Sequence, residues 1–330
     1  MTQLAARRGT PDAAPTGAGG TGRGGTSRGG AGGVRTGPPA RLTRTFDAPV
    51  LAWQRLPTEP LDAAYYVLLA GGAEQVLWIN QRAPLEPKIA RSVAAAGLLP
   101  GFTPPLVRAD TTLTRLEYPY LITGFCPTPT LHAAWPHLNA AAKHGAAYAW
   151  GAAVRSLHHT RFSLAGDLAE PEAAGLRLGD DLEALWRGPL RLAVKDYMLD
   201  TPKLAAALHR GRALAQDAPV TLTHGHPDPG SFLYDPRRAA VTAVLNLGDA
   251  RRGDPMSDLA AVQGDLAALG CAAAFMAGYG ALSHWERERL EFYGLFHALR
   301  RYALALTLVP NELAQRRMRL AETLKRSHEF

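Results

Sequence analysis

Two cysteines in 330 residues, Cys126 and Cys271, are too few and too far apart for a disulfide framework or a C-x-x-C metal site. They are expected as free thiols in a reducing compartment. Apolar runs such as Cys271–Leu282 fall short of the roughly 20 residues that span a bilayer. A secretory-type apolar stretch is missing at the start, where Met1 to Arg8 runs straight into glycine and proline. There is no Gly-x-Ser-x-Gly elbow, no dinucleotide-binding fingerprint and no internal repeat. These absences predict a cytoplasmic protein with no membrane partner.

Acidic residues are scarce at one end. Arg7, Arg8, Arg23, Arg28, Arg35, Arg41 and Arg44 face only Asp12 there, so the first 45 residues hold +6 of the +7 net charge and the body stands near +1. A basic face for nucleic acid is therefore not expected on the folded part. Residues 1–45 are Gly, Ala, Thr, Pro and Arg with almost no large apolar side chains, a composition that predicts a disordered leader. A nucleic-acid partner is not expected except through the Arg-Gly-Gly spellings at Arg23 and Arg28, where no aromatics interleave for stacking and a solvated leader is the expected reading.

What is present from Phe46 onward is enough apolar sequence, at 47% hydrophobic overall, for a large core. Ala63–Leu69 and Gln75–Ile79 flank Gly71-Gly72 as a hairpin. Pro87 to Leu99 is expected as a helix, Pro104-Pro105 as a turn, and Leu113–Leu116 and Tyr118–Thr123 as strands. Beyond Leu138 the pattern is mainly helical. Trp150, Val154 and Leu157 form one core stripe, and Trp186 sits in another helical stretch. His158-His159 is expected to close a helix with polar side chains over its last carbonyls. Thr201-Pro202 has the form of an N-cap and first helical position, and Ser283 with Glu286 that of a capping box. Pro310-Asn311 separates two final helices. One non-helical island interrupts this stretch at 220–249, with apolar segments Ser231–Tyr234 and Val241–Leu247. The expected plan is α+β: a β-rich lobe over 46–123 and a larger, mainly helical lobe over 124–330.

Within that island, Thr223-His224-Gly225-His226-Pro227-Asp228-Pro229-Gly230-Ser231-Phe232-Leu233 resembles the catalytic loop of aminoglycoside phosphotransferases and their choline-kinase-like relatives. Val244 to Asp249, followed by Gly253-Asp254-Pro255 and Asp258-Leu259, resembles the family's metal-binding segment, and Tyr120 to Phe125 its interlobe hinge. The resemblance covers roughly residues 50 to 325 and implies a two-lobed protein-kinase-like fold. It also implies that the hinge main chain at Thr123, Gly124 and Phe125 faces an adenine, and that His224, Asp254 and Asp258 support the loop.

The departures from the family's pattern bear on chemistry. Laid over this sequence, the phosphate-binding lysine falls at about Trp78 and its glutamate partner at about Ser92. The proton-accepting aspartate falls at His226, the metal-binding asparagine at Ser231 and the metal-binding aspartate at Asn246. The turn ahead of Tyr65, glycine-rich in the family, spells Leu61-Asp62-Ala63-Ala64. Magnesium is held through carboxylate oxygens and retained waters, and neither Ser231 nor Asn246 carries a charge. The resemblance and its departures thus predict a catalytically degraded, pseudokinase-like protein that binds a small molecule or a protein partner in its interlobe cleft. The alternative is an active ATP-dependent small-molecule kinase in which Asp228 is the base and Asp249 helps hold the metal, with Mg-ATP as cofactor in that case only. A competing reading is a zinc hydrolase, because His224, His226 and Asp228 also resemble the start of an H-x-H-x-D-H motif, whose last histidine is here Pro229.

Overall fold

The computed structural model describes residues 40–56, 62–81, 87–307 and 309–327. The leader expected over 1–45 lies, up to residue 39, outside the described residues, as does Leu61 of the turn ahead of Tyr65. After a single turn, α1 (Ala40–Thr43), strands β1 (Val50–Leu56), β2 (Asp62–Leu69) and β3 (Glu74–Asn80) run as an antiparallel meander. Helix α2 (Lys88–Leu98) follows, and β4 (Leu106–Asp110) and β5 (Tyr120–Gly124) complete a five-stranded antiparallel sheet of order β1-β2-β3-β5-β4. The β2–β3 turn takes two successive positive φ angles, 95° at Gly71 and 84° at Gly72, which glycine adopts without a Cβ clash.

The rest is mainly helical: α3 (Leu131–Ala134), α4 (Ala140–Leu157), α5 (Leu178–Ala193), α6 (Thr201–Ala215), α7 (Pro255–Leu269), α8 (Ala272–Tyr279), α9 (His284–Thr307) and α10 (Leu313–Arg326). Between these helices lie β6 (Arg161–Phe162), β7 (Gly166–Asp167), β8 (Val220–Thr223) and β11 (Arg251–Gly253), which form a small sheet of order β6-β8-β11-β7. A separate hairpin pairs β9 (Phe232–Asp235) with β10 (Ala240–Val244). The architecture is α+β, a β lobe beside a larger helical lobe. No helix among the described residues is long and apolar enough to cross a membrane.

Two expectations are corrected. Leu113–Leu116 is not a strand. Asp110 draws this segment into a tight turn by accepting hydrogen bonds from the Thr112 N–H and the Thr112 and Thr114 hydroxyls, and Leu113 takes a φ of 61°. The strand is instead Leu106–Asp110, directly after the two prolines. At α6 the cap is Asp200, whose carboxylate accepts from the Lys203 N–H at 3.1 Å, so Thr201 is already the first helical residue. The capping box at α9 is present as spelled, with Ser283 N–H donating to Glu286 at 2.7 Å and Glu286 N–H to Ser283 Oγ at 3.2 Å.

The main core lies among the helices and includes Trp150, Trp186, Phe275, Tyr293, Phe296 and Leu299. Helices α4 and α8 cross at two glycines. A Cβ on Gly151 would stand 2.0 Å from Phe275 O, and one on Gly278 2.0 Å from Tyr148 O. That close approach packs Trp150 edge-on against Phe275, with ring centroids 4.8 Å apart. Lower on α9, His297 donates through Nε2 to Ser257 O at 2.9 Å, and burial pushes its pKa down to about 4.

Gly151→Ala is expected to destabilise the fold by at least about 1–3 kcal/mol, the usual range for overpacking, because the obstruction is backbone and cannot rotate away. Gly145→Ala on the same helix meets nothing within 4 Å and is expected to stabilise by up to about 1 kcal/mol. Urea unfolding of the two variants checks the opposite signs.

Candidate functional site

The island at 220–249 is held by one buried carboxylate. Asp258, in the first turn of α7, accepts the His224 N–H at 2.7 Å, the Gly225 N–H at 2.8 Å and His158 Nε2 at 3.1 Å. Burial alone would raise its pKa, but the hydrogen bond and charge of His158 win and hold it below the usual carboxylate value. The His158 ring does not cover helix-end carbonyls. It is buried, with Nδ1 2.9 Å from the Tyr279 hydroxyl, and so ties α4 and α8 to α7. Asp254 caps α7 through the Met256 N–H and pairs with Arg289 at 2.8 Å; burial raises its pKa against that pairing.

His224 is buried with both ring nitrogens engaged. Nε2 donates to Leu245 O at 2.8 Å, and Nδ1 accepts the His226 N–H at 3.3 Å. Burial lowers its pKa, so it stays neutral. Gly225 takes a φ of 88°, and a Cβ there would stand 2.5 Å from Asp249 O. Trp150, expected as core, is fully buried and also donates its indole N–H to Pro227 O at 3.1 Å, so the helical core sets the height of the loop.

Past that anchor the loop forms a polar chain. His226 Nε2 lies 3.3 Å from Asp228 Oδ2, Ser231 Oγ donates to Asp228 Oδ1 at 3.3 Å, and Asn246 Nδ2 donates to Ser231 Oγ at 3.3 Å. Asn246 stands in the left-handed region at φ 58°, where Asn is better tolerated than most residues. The structure therefore brings together His226, Asp228, Ser231 and Asn246. The Asp249 backbone packs on Gly225, and its side chain makes none of these hydrogen bonds.

Across from the chain a cleft of about 490 Å³ opens between the sheet and the β9–β10 hairpin. Leu56, Ala64, Val76 and Leu121 line one side, and Leu233 and Val244 the other. Trp78, Ser92, Thr123, Gly124 and Phe125 all reach it, as do Asp228 and Asn246. No lysine or arginine lines it among the described residues.

The Trp78 indole lies over Gly248, where a Cβ would stand 3.2 Å from Trp78 Cη2 and 3.0 Å from Lys88 Cβ. Lys88, unremarked in the sequence, is buried behind that indole. Its Nζ lies 6.0 Å from the ring centroid and 3.2 Å from Asp62 Oδ2, inside the protein rather than in the cleft. The Ser92 hydroxyl donates back to Lys88 O at 2.9 Å. One turn along α2, Arg91 clamps Asp167 with two nitrogens, Nε at 2.9 Å and Nη2 at 2.5 Å, and so docks α2 on the helical lobe.

At the hinge two main-chain donors are already engaged. Gly124 N–H donates to Pro105 O at 2.8 Å, and Phe125 N–H to Glu74 O at 3.0 Å, so neither is open to a ligand. Pro127 has no N–H. The donor left is Cys126 N–H, which has no backbone partner among the described residues and lies on the cleft wall. Burial pushes the Cys126 thiol up, so it stays protonated.

Two metal readings can be tested on the donor sets. For magnesium with a nucleoside triphosphate the residues do not fit. Asp228 is the one carboxylate in the chain, and the Ser231 hydroxyl already both donates and accepts within it. For zinc, His224 has no nitrogen to give, and no group of three or more His, Cys, Asp or Glu among the described residues could hold a metal ion.

The sequence profile of the phosphotransferase enzyme family matches residues 55–293. The chain belongs to that family. Among curated protein sequences, none matches. Solved structures carry the same fold. A thermostable mutant of an aminoglycoside phosphotransferase, in ternary complex with AMP-PNP and hygromycin B, aligns at TM-score 0.63 and 18% identity, covering 87% of this chain and 97% of its own. The GDP complex of aminoglycoside 2'-phosphotransferase-IIIa aligns at TM-score 0.63 and 16% identity, with 87% and 97% covered. A macrolide 2'-phosphotransferase from Brachybacterium faecium aligns at 0.57 and 18%, with 86% and 96% covered. The two-lobed protein-kinase-like fold is thus common to the chain and these neighbours.

Acid should weaken the fold in a defined window. His224 and His297 both have folded pKa values below the unfolded value of about 6.5. The unfolded chain therefore binds more protons, and the stability they contribute is full above about pH 6.5 and lost as pH falls toward 4. Asp258, also depressed, begins to add its own loss only below its unfolded value of about 3.8. Thermal midpoints measured from pH 8 to pH 4 should decline below 6.5; a flat profile to pH 4.5 would contradict the neutral buried imidazoles.

Proposed function

We propose that this family member is catalytically degraded and holds a small, weakly charged molecule in the interlobe cleft without transferring phosphate. The observation that carries the reading is the cleft wall itself. Where the family's lysine would meet phosphate, the wall presents the Trp78 indole, and the nearby cation Lys88 is neutralised by Asp62 in the interior. A phosphate chain entering here would leave water without a compensating positive charge, a cost of several kcal/mol per unpaired ion. The apolar walls and the Cys126 N–H suit a flat, uncharged ring instead, and the volume falls within the usual range for a small-molecule pocket.

One observation favours the second reading, an active ATP-dependent kinase of a small molecule. Asp228 faces the cleft with an unstrained link to Ser231, close to where a base is needed. Against it, Asp228 is the one carboxylate in the hydrogen-bonded chain, and Ser231 and Asn246 offer a metal no charge.

The nucleotides named for the structural neighbours are natural probes. In a thermal-shift series, adenosine should stabilise the chain, and Mg²⁺ should leave the shift given by ATP unchanged. A shift with ATP that needs Mg²⁺ and exceeds that of adenosine would overturn the degraded reading in favour of the kinase.

A further inference from the structure

A second cavity, of about 340 Å³, lies among α7, α9 and α10 and shares no lining residue with the cleft. Its walls carry Arg301 from α9 and Arg316, Arg319 and Arg326 from α10, with Gln263 of α7 and Thr323 of α10 as neutral donors. The α10 positions follow helical spacing: 316, 319, 323 and 326 lie on one stripe along the open cavity, with Arg319 and Arg326 exposed, while Leu320 and Leu324 are buried. Glu322 is the one acid in the lining.

What sets this stripe apart is that its arginines gather around one concavity. Arg91, Arg108, Arg212, Arg251 and Arg289 each have a carboxylate partner, and Arg317 on α10 itself holds Asp196 at 2.6 Å. Within the cavity Arg316 pairs with Glu312 at 2.7 Å, whereas Arg301, Arg319 and Arg326 form no ion pair among the described residues. His297, also in the lining, is neutral at pH 7 and adds no charge. Like charges gathered around one concavity repel, and the electrostatic strain registers on Arg301, whose pKa is lowered by burial and by the charges of Arg316 and Arg319. An anion seated among them would remove that repulsion. Guanidinium groups suit phosphate oxygens, which they bind bidentately.

We propose that this cavity is a binding site for a small phosphorylated molecule carrying at least two negative charges, held by Arg301, Arg319 and Arg326. The size of the cavity admits a compact phosphate ester or diphosphate. The same charge turns away polycationic amino sugars. The site stands whether or not the interlobe cleft transfers phosphate.

Calorimetric titration of the full chain with pyrophosphate at low salt tests the proposal, because pyrophosphate carries the charge without a base or sugar to engage the cleft. Binding is expected, and it should weaken about tenfold or more in R319Q and again in R301Q, each loss removing a charge-assisted contact. R326Q, near the end of α10, gives the same readout should either of the others fail to fold. Pyrophosphate that does not bind, or that binds all three variants as tightly as the parent, would overturn the assignment.

Discussion

The Asp258 carboxylate is the point on which the helical lobe and the loop at 224–231 both depend. It is fully buried, accepts three N–H groups from two different elements, and stays ionised because those donors outweigh its burial. Removing one partner of such a buried set typically costs about 3–5 kcal/mol, since the charge is left uncompensated. Through His158 and Tyr279 the same carboxylate is tied to α4 and α8, whose glycine crossing seats Trp150 and thereby Pro227. Core packing and loop geometry are thus one system. The groups that hold the loop, Asp258, His158, Tyr279 and Trp150, are distinct from the polar chain of His226, Asp228, Ser231 and Asn246.

Charge on the cleft side is arranged in the opposite sense to phosphate chemistry. Phosphoryl transfer depends on positive charge and metal around the transferred group. Here the cation next to the cleft is turned inward to Asp62, an indole covers the Gly248 turn, and the polar chain from His226 to Asn246 satisfies its own members. On the two proposals above, the apolar cleft would take an uncharged ring and the arginine-lined cavity an anion.

Much of this was legible in the sequence because local chemistry decided it. The Gly71-Gly72 hairpin and the Ser283–Glu286 capping box each satisfy their own backbone within a few residues, so spelling and structure agree; the blocks from Thr223 to Leu259 were legible instead through their family spelling. The errors share a cause. Leu113–Leu116 has strand-like residues, but Asp110 captures the backbone. His158 has the composition of a helix end, but its partners Asp258 and Tyr279 are 100 and 121 residues away. Lys88 and Cys126 carry no motif; their roles arise from Asp62 across the sheet and from Pro105 and Glu74 taking the neighbouring hinge donors. The α10 arginines are spelled out, yet only the packing of α10 on α9 sets them beside Arg301 around one cavity.

The central claim is that the cleft has too few charged oxygens and nitrogens of its own to seat a metal–triphosphate unit. Electron paramagnetic resonance of Mn²⁺ with ATP, titrated with the full chain, tests it most directly. The account predicts that any effect of the protein on the Mn²⁺–ATP signal is the same in D228N as in the parent. A protein-dependent signal that disappears in D228N would contradict it.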